Sequence, residues 1–269
     1  LAQQRPLLTD DIDTVPVGAV RIGAGVDFIQ NAKFPLSGLK GDLTRVGNIN
    51  VSVGLAPNVS FEVEGVLQNF LAVNSATPNP PIPLNISANS SNDVGDFTVS
   101  TKIKLKNETK NTPAIGFKFS AQIPSTDQSR GIGTNQINIF GRMIVGKKFG
   151  KVNGQTKFNL FGNLGLGIMT APLERFTQND VVLYGLAGIY RVNKRFNVVS
   201  EVNGRVNTRS GSAPLGTESQ GELRLGTQIR ASGLRFDAAG IIGLTKYSPR
   251  SGVVFGVTYE SPSIFQPAK

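Results

Sequence analysis

The chain has 269 residues with no cysteine, histidine or tryptophan, and 28 Lys and Arg against 18 Asp and Glu leave a net charge of +10. Disulfides, thiolate metal sites, cysteine nucleophiles and histidine bases are therefore excluded. So is a helical membrane protein, because no stretch approaches the ~18 uninterrupted apolar residues such a helix needs.

A mean hydropathy of −0.06 still leaves room for a membrane β-barrel, in which only alternate strand residues must be apolar. The basic residues form no run longer than two. A nucleic-acid partner is thus not expected, whereas acidic lipid headgroups and anionic solutes are.

In chain order, residues 1–18 read as a short periplasmic N-terminal segment. The opening at Leu1, with no initiator Met and no export signal, suits a mature form whose signal has been removed. Alternation of apolar and polar residues then marks twelve strand-like segments: 19–30, 43–55, 59–72, 94–106, 114–123, 135–148, 155–168, 181–192, 196–207, 219–230, 234–247 and 252–260. Most are longer than the usual soluble strand of about five or six residues and suit a tilted strand crossing a bilayer. Residues 261–269 form a tail.

The connections alternate in length. Tight ones fall at 56–58, 107–113, 149–154, 193–195 and 231–233, and longer ones at 31–42, 74–93, 124–134, 169–180 and 208–218, with 248–250 a short exception. This asymmetry is that of an up-and-down outer-membrane barrel, with tight periplasmic turns and longer external loops. The Pro-rich 76–93 is the largest external loop and is placed over the mouth.

The oilier parity of each segment marks the lipid face. In "FNLFGNLGLGI" (158–168), Phe158, Leu160, Leu164, Leu166 and Ile168 face outward, while Asn159 and Asn163 face water or polar partners inside. Inward glycines (Gly146, Gly165, Gly167, Gly226 and Gly243) keep the lumen open or let the wall curve. Outward aromatics sort by height into two girdles. Phe61, Phe117, Phe158, Tyr190, Phe196, Phe236 and Tyr259 lie near the short turns; Phe28, Phe97 and Tyr184 lie near the long loops.

Inward charges cluster. Glu62 and Glu64 fall level with Lys104 and Lys102, Lys118 and Arg142 lie at similar depth, and across the barrel Arg205 opposes Glu222, with Arg224 lower and Glu201 nearby. Bases outnumber acids in this belt. Two readings stand: an ion-paired filling of the lumen, or a constriction whose surplus Lys and Arg favour anions.

Other motifs carry less. "GRMIVGKK" (141–148) is one residue short of a phosphate-binding loop, with Lys148 where Ser or Thr must hold Mg²⁺. Asp10, Asp11 and Asp13, like Asn92, Asp93 and Asp96, lack calcium-loop spacing and read as solvated loop acids. No catalytic residue, metal or cofactor is expected.

Two resemblances add to this. "RSGVVFGVTY" (250–259) resembles the C-terminal β-signal of bacterial outer-membrane proteins: Arg250, Gly252, Phe255 and Val257 fit it, and Tyr259 adds an aromatic. The stretches 5–28 and 34–65 look like an outer-membrane transporter family associated with phenol degradation by the meta pathway. That likeness implies a channel or transporter and says little about substrate. The expectation is an all-β transmembrane barrel of about twelve strands over 19–260 in a bacterial outer membrane. It is read as a porin-like, anion-biased passage for small solutes and not an enzyme. The alternative is a non-conducting structural barrel that binds a partner protein or associates with its own copies.

Overall fold

Side chains alternate across a strand with a period of two, so a segment that is apolar on one parity and polar on the other has to separate two environments. Twelve long strands do so here: β1 (Val20–Phe34), β2 (Leu39–Ala56), β3 (Val59–Ala76), then, after the four-residue β4 (Ser90–Asp93), β5 (Phe97–Lys106), β6 (Ala114–Ile123), β7 (Asn138–Val152), β8 (Gln155–Met169), β9 (Asp180–Arg191), β10 (Phe196–Asn207), β11 (Gln220–Ala231), β12 (Leu234–Gly243) and β13 (Ser251–Glu260). This computed structural model describes residues 5–152, 154–174 and 179–265. The first four residues of the N-terminal segment and the last four of the tail lie outside them.

Each long strand pairs antiparallel with the next, and β13 returns to pair with β1 from Arg21↔Glu260 to Gln30↔Ser251. The result is the expected closed up-and-down barrel of twelve strands. Closure leaves no open edge, whose unpaired N–H and C=O groups would each cost several kcal/mol in lipid. β4 is a flap on the upper part of β3 (Asn69↔Asp93 to Ala72↔Ser90).

On β8, Leu164, Leu166 and Ile168 are 64%, 66% and 61% exposed, whereas inward Phe161 and Asn163 are 1% and 9% exposed. An apolar outside around a polar, buried inside is the inverse of a soluble protein and fits a wall immersed in hydrocarbon. Replacing Leu186, outward and near the middle of β9, with Arg should lower the barrel's unfolding free energy by about 2–4 kcal/mol, the cost of a basic residue at the bilayer midplane. Urea titration in lipid vesicles, followed by heat-modifiable gel mobility, measures this.

The short turns (57–58, 107–113, 192–195 and 232–233, and the link between β7 and β8) share one end of the barrel. The loops 77–96, 124–137, 208–219 and 244–250, with the ends of β8 and β9 at Met169 and Asp180, share the other. Two connections differ from expectation: β12 stops at Gly243, so the link before β13 is the loop 244–250 and not a short exception, and 31–42 is not a long loop, because β1 and β2 continue to a tight turn at 35–38, with Gly38 at φ +68°. The reason is packing. Leu39, Leu43 and Leu71 form an apolar pad with Ile29 and Ala32, and Leu84 and Ile86 of the Pro-rich loop settle on it together with Ile132. Asn85 N–H donates to the Ser129 carbonyl, and Ser91 Oγ to that of Arg130 (2.6 Å). The loops 77–96 and 124–137 are thereby tied together. Asp96, read from sequence as a solvated acid, does similar work: its carboxylate accepts from Gln122, Ser125 and Thr126.

Candidate functional site

The lumen is not empty. The N-terminal segment, expected outside the barrel, runs through it over residues 5–18. Val17 pairs with Gly54 and Gly18 N–H donates to the Gly54 carbonyl at the short-turn end. Val15 N–H is held by Ser60 Oγ at 2.8 Å. From there the chain climbs inward, and Leu7, Asp10, Asp11 and Ile12 are all buried.

Two apolar side chains anchor it. Leu7 packs against Phe161, Ala187, Ile189 and Val199 on β8, β9 and β10. Ile12 packs against Ala114 and Ile144 on β6 and β7. Inward glycines make room for this: a methyl group on Gly185 would sit 2.6 Å from Thr9 Oγ1, and one on Gly116 would sit 2.6 Å from Ile12 Cδ1. Gly146 likewise faces Ile12. These glycines accept the segment instead of widening a hole.

Polar contacts satisfy the backbone of the segment. Glu201 accepts from Leu8 N–H (2.7 Å) and Thr9 N–H (2.8 Å). The Asn163 amide accepts from Asp10 N–H (2.7 Å) and donates to the Asp10 carbonyl (2.9 Å), in place of a neighbouring strand. Arg224 Nη1 donates to the Pro6 carbonyl (3.0 Å) and Gln228 Nε2 to that of Arg5 (2.6 Å).

Charge completes the fit. Lys102, Lys118 and Arg142 lie in one row across β5, β6 and β7, each directly opposite the next. Three adjacent cations are unfavourable without counter-charge. Lys118 Nζ meets Asp10 at 2.9 Å and Glu62 at 2.8 Å; Lys102 meets Glu62 at 3.4 Å and Asp11 at 3.7 Å; Arg142 meets Asp10 at 3.6 Å. Nearer the short turns, Asp13 bridges Lys148 (2.7 Å) and Lys104 (3.6 Å). Burial would raise the Asp13 carboxyl, but the sum of positive charge around it, to which the hydrogen-bonded Lys148 and Lys104 contribute, holds the group below the usual carboxylate range. This clamp is therefore complete at neutral pH and is lost only as pH falls through that lowered value.

The segment divides the interior. On its long-loop side lies a cavity of about 340 Å³ lined by Arg45, Glu64, Arg142, Arg205, Glu222 and Arg224. On its short-turn side lie cavities of about 500 and 310 Å³. The cavities of the two sides share no lining residue.

No protein-family model matches the chain, and no curated protein matches its sequence. Solved structures do match its shape. One is an outer-membrane channel of Pseudomonas putida F1, with 14% identity and a TM-score of 0.63 over 93% of this chain and 98% of that one. Another is the translocator domain of the autotransporter NalP from Neisseria meningitidis, with 11% identity and a TM-score of 0.47 over 92% and 90%. The fold is that of bacterial outer-membrane barrels. The likeness of residues 5–28 and 34–65 to the phenol-degradation transporter family finds no support among the family and sequence comparisons.

Within this barrel the predicted residues are distributed as follows. Glu62, Lys102, Lys118 and Arg142 meet in one network; Lys104 belongs to the neighbouring Asp13 clamp. Glu64 lines the upper cavity. The pairings shift from those expected, by four residues at Glu62, which stands opposite Ser100 and not Lys104, and by two at Arg205, which stands opposite Gln220 with its Nε donating to the Glu218 carbonyl. Glu222 instead pairs with Arg224 at 2.9 Å, and Arg224 also reaches Glu201 at 3.7 Å. Distance from the short turns takes no account of the stagger between tilted barrel strands, which displaces these registers.

The aromatic positions Phe61, Phe117, Phe158, Tyr190, Phe196, Phe236 and Tyr259 stand on outward parity toward the short turns. Phe97 and Tyr184 do so toward the loops, and Phe28 stands midway along the longer β1. Asp10, Asp11 and Asp13 are the residues that sequence reasoning missed. They are not solvated acids but the counter-charges of the lumen belt. The available signal was "TDDID" (9–13), acid-rich and carrying one apolar residue, placed just before a wall whose inward bases lacked partners.

Proposed function

We propose that this chain is an outer-membrane channel whose N-terminal segment is a plug, closing the waist until it is displaced. Its short turns face the periplasm, so the plug is entered from that side, and its outer wall is solvated by membrane lipid. Small solutes pass when residues 5–13 leave the wall. Any anion preference belongs to that open state, because Asp10, Asp11 and Asp13 neutralise the Lys and Arg surplus while the plug is docked. The observation that carries this reading is the Lys118–Asp10–Arg142 junction, where a removable segment supplies charge to a fixed wall. The shape it shares with a Pseudomonas protein described as an outer-membrane channel supports it.

Complete burial of Lys102, Lys118 and Glu62 favours the rival, a permanently sealed structural barrel. A reversible lock separates the two. The chain has no cysteine, and a Cβ built on Gly185 lies 3.3 Å from Thr9 Cβ, close to the spacing that a disulfide needs. In the T9C/G185C variant, single-channel openings should vanish on oxidation and return on reduction. Openings that persist in the oxidised protein sink the plug as gate; silence in both states favours the rival.

A further inference from the structure

Apart from the plug, a cluster of like charge gathers at the short-turn rim. Arg21, Arg195, Arg230 and Arg235 line one cavity of about 500 Å³ with a single carboxylate, Glu260. Arg230 also lines the adjoining cavity of about 310 Å³, beside Arg191. Some of this charge is accounted for. Arg21 lies opposite Glu260 in the β1–β13 seam and donates to it through Nε at 2.8 Å. Arg235 donates to Thr258 Oγ1 at 3.0 Å and lies 3.8 Å from Asp237.

The rest is not. Arg230 stands directly opposite Arg235 on the neighbouring strand, an arrangement that costs stability unless an anion lies between. Neither Arg230 nor Arg195 forms an ion pair among the described residues, and the Arg195 carbonyl accepts Arg230 N–H, which brings the two residues together. Arg21 and Arg235 are themselves nearly fully buried. The rim thus holds preorganised guanidinium forks around a space many times the ~30 Å³ of a water molecule.

We infer that this rim cavity is a binding site for a phosphate-bearing dianion or polyanion reached from the periplasmic side. One guanidinium fork satisfies a carboxylate, which has two oxygens; several forks converging from β11, β12 and the 192–195 turn match a tetrahedral group with more oxygens to offer. The space exceeds what inorganic phosphate fills, which points to pyrophosphate or a phosphate ester. Binding here does not require the plug to move, so it stands apart from the gating proposal. The same chemistry could come from a soluble anion or a lipid headgroup. The inward parity of Arg21, Arg230 and Arg235 on their strands favours the soluble source.

Isothermal titration of the full-length protein with inorganic pyrophosphate, in phosphatidylcholine nanodiscs, tests this. Saturable binding is expected, weakened about tenfold or more in both Arg230→Gln and Arg195→Gln. Arg195 is exposed in a turn, and heat-modifiable gel mobility verifies that each variant is folded. Lys246→Gln, at the opposite end of the barrel, should bind as the parent does. Absence of saturation, equal affinity in the arginine variants, or equal weakening in Lys246→Gln overturns the site. Adding phosphatidylglycerol to the nanodiscs should leave pyrophosphate binding unchanged; its abolition would assign the pocket to lipid headgroups and overturn the soluble-anion reading.

Discussion

Removing residues 1–13 should turn a nearly silent barrel into an anion-selective pore. The variant keeps 14–18, and with them the Val15 and Val17 contacts that seat the start of β1 against β2 and β3. What it loses is the whole obstruction: Leu7 and Ile12 from their apolar pads, and three carboxylates from the belt. Water then reaches Lys102, Lys104, Lys118, Arg142 and Lys148, whose remaining acidic neighbours on the wall are Glu62 and Glu64. A ring of excess positive charge in a narrow aqueous passage favours anions. Planar-bilayer recording should give a conductance higher by about an order of magnitude or more, with a reversal potential in a KCl gradient displaced toward chloride. Cation preference in the truncated protein, or conductance no greater than that of the full chain, removes both the plug and the belt from the explanation.

The second large effect is expected at Lys118. Its ammonium is buried between Asp10 on the plug and Glu62 on the wall. Lys118→Met leaves those two carboxylates with only Lys102 and Arg142 at 3.4 and 3.6 Å. Breaking a buried pair by deleting one partner costs about 3–5 kcal/mol, most of it the penalty for the charge left behind. Urea unfolding in vesicles should register a loss of that size for the single variant. Adding Asp10→Asn should recover part of it, because the stranded carboxylate on the plug is then neutral. A double-mutant cycle in which the two losses simply add would mean that Lys118 and Asp10 are not coupled.

Much of the fold was legible because a membrane barrel writes its environment into every second residue. The β8 sequence separates Leu164, Leu166 and Ile168 from Asn159 and Asn163 so cleanly that its two faces need no further information. Closure follows from physics, since lipid tolerates no open edge. The ends of β1 and β2 were harder. Phe34 and Leu39 extend the hairpin past the wall because a loop some forty residues onward covers them, and such long-range packing leaves no periodic trace. Registers failed for a related reason. The stagger between tilted strands sets which residues meet, and it placed Glu62 opposite Ser100 without leaving a mark on either strand's local pattern.

At the site, the wall side of the belt could be read, because parity alone turns Lys102, Lys118 and Glu62 inward. Its counterpart on the plug could not. Residues 5–18 form no strand or helix, so no periodicity reveals which way Asp10 and Asp11 point. Only the electrostatic deficit of the wall indicated that acids had to come from somewhere.

The plug is joined to the wall through the few residues between Asp13 and Val20. A tether that short keeps a released plug at a local concentration on the order of millimolar or above with respect to its own seat. Return is then a first-order event within one molecule, indifferent to protein dilution and hard for a free peptide copy of residues 5–13 to outcompete. Any signal that holds the passage open must therefore capture the released segment, not merely loosen it.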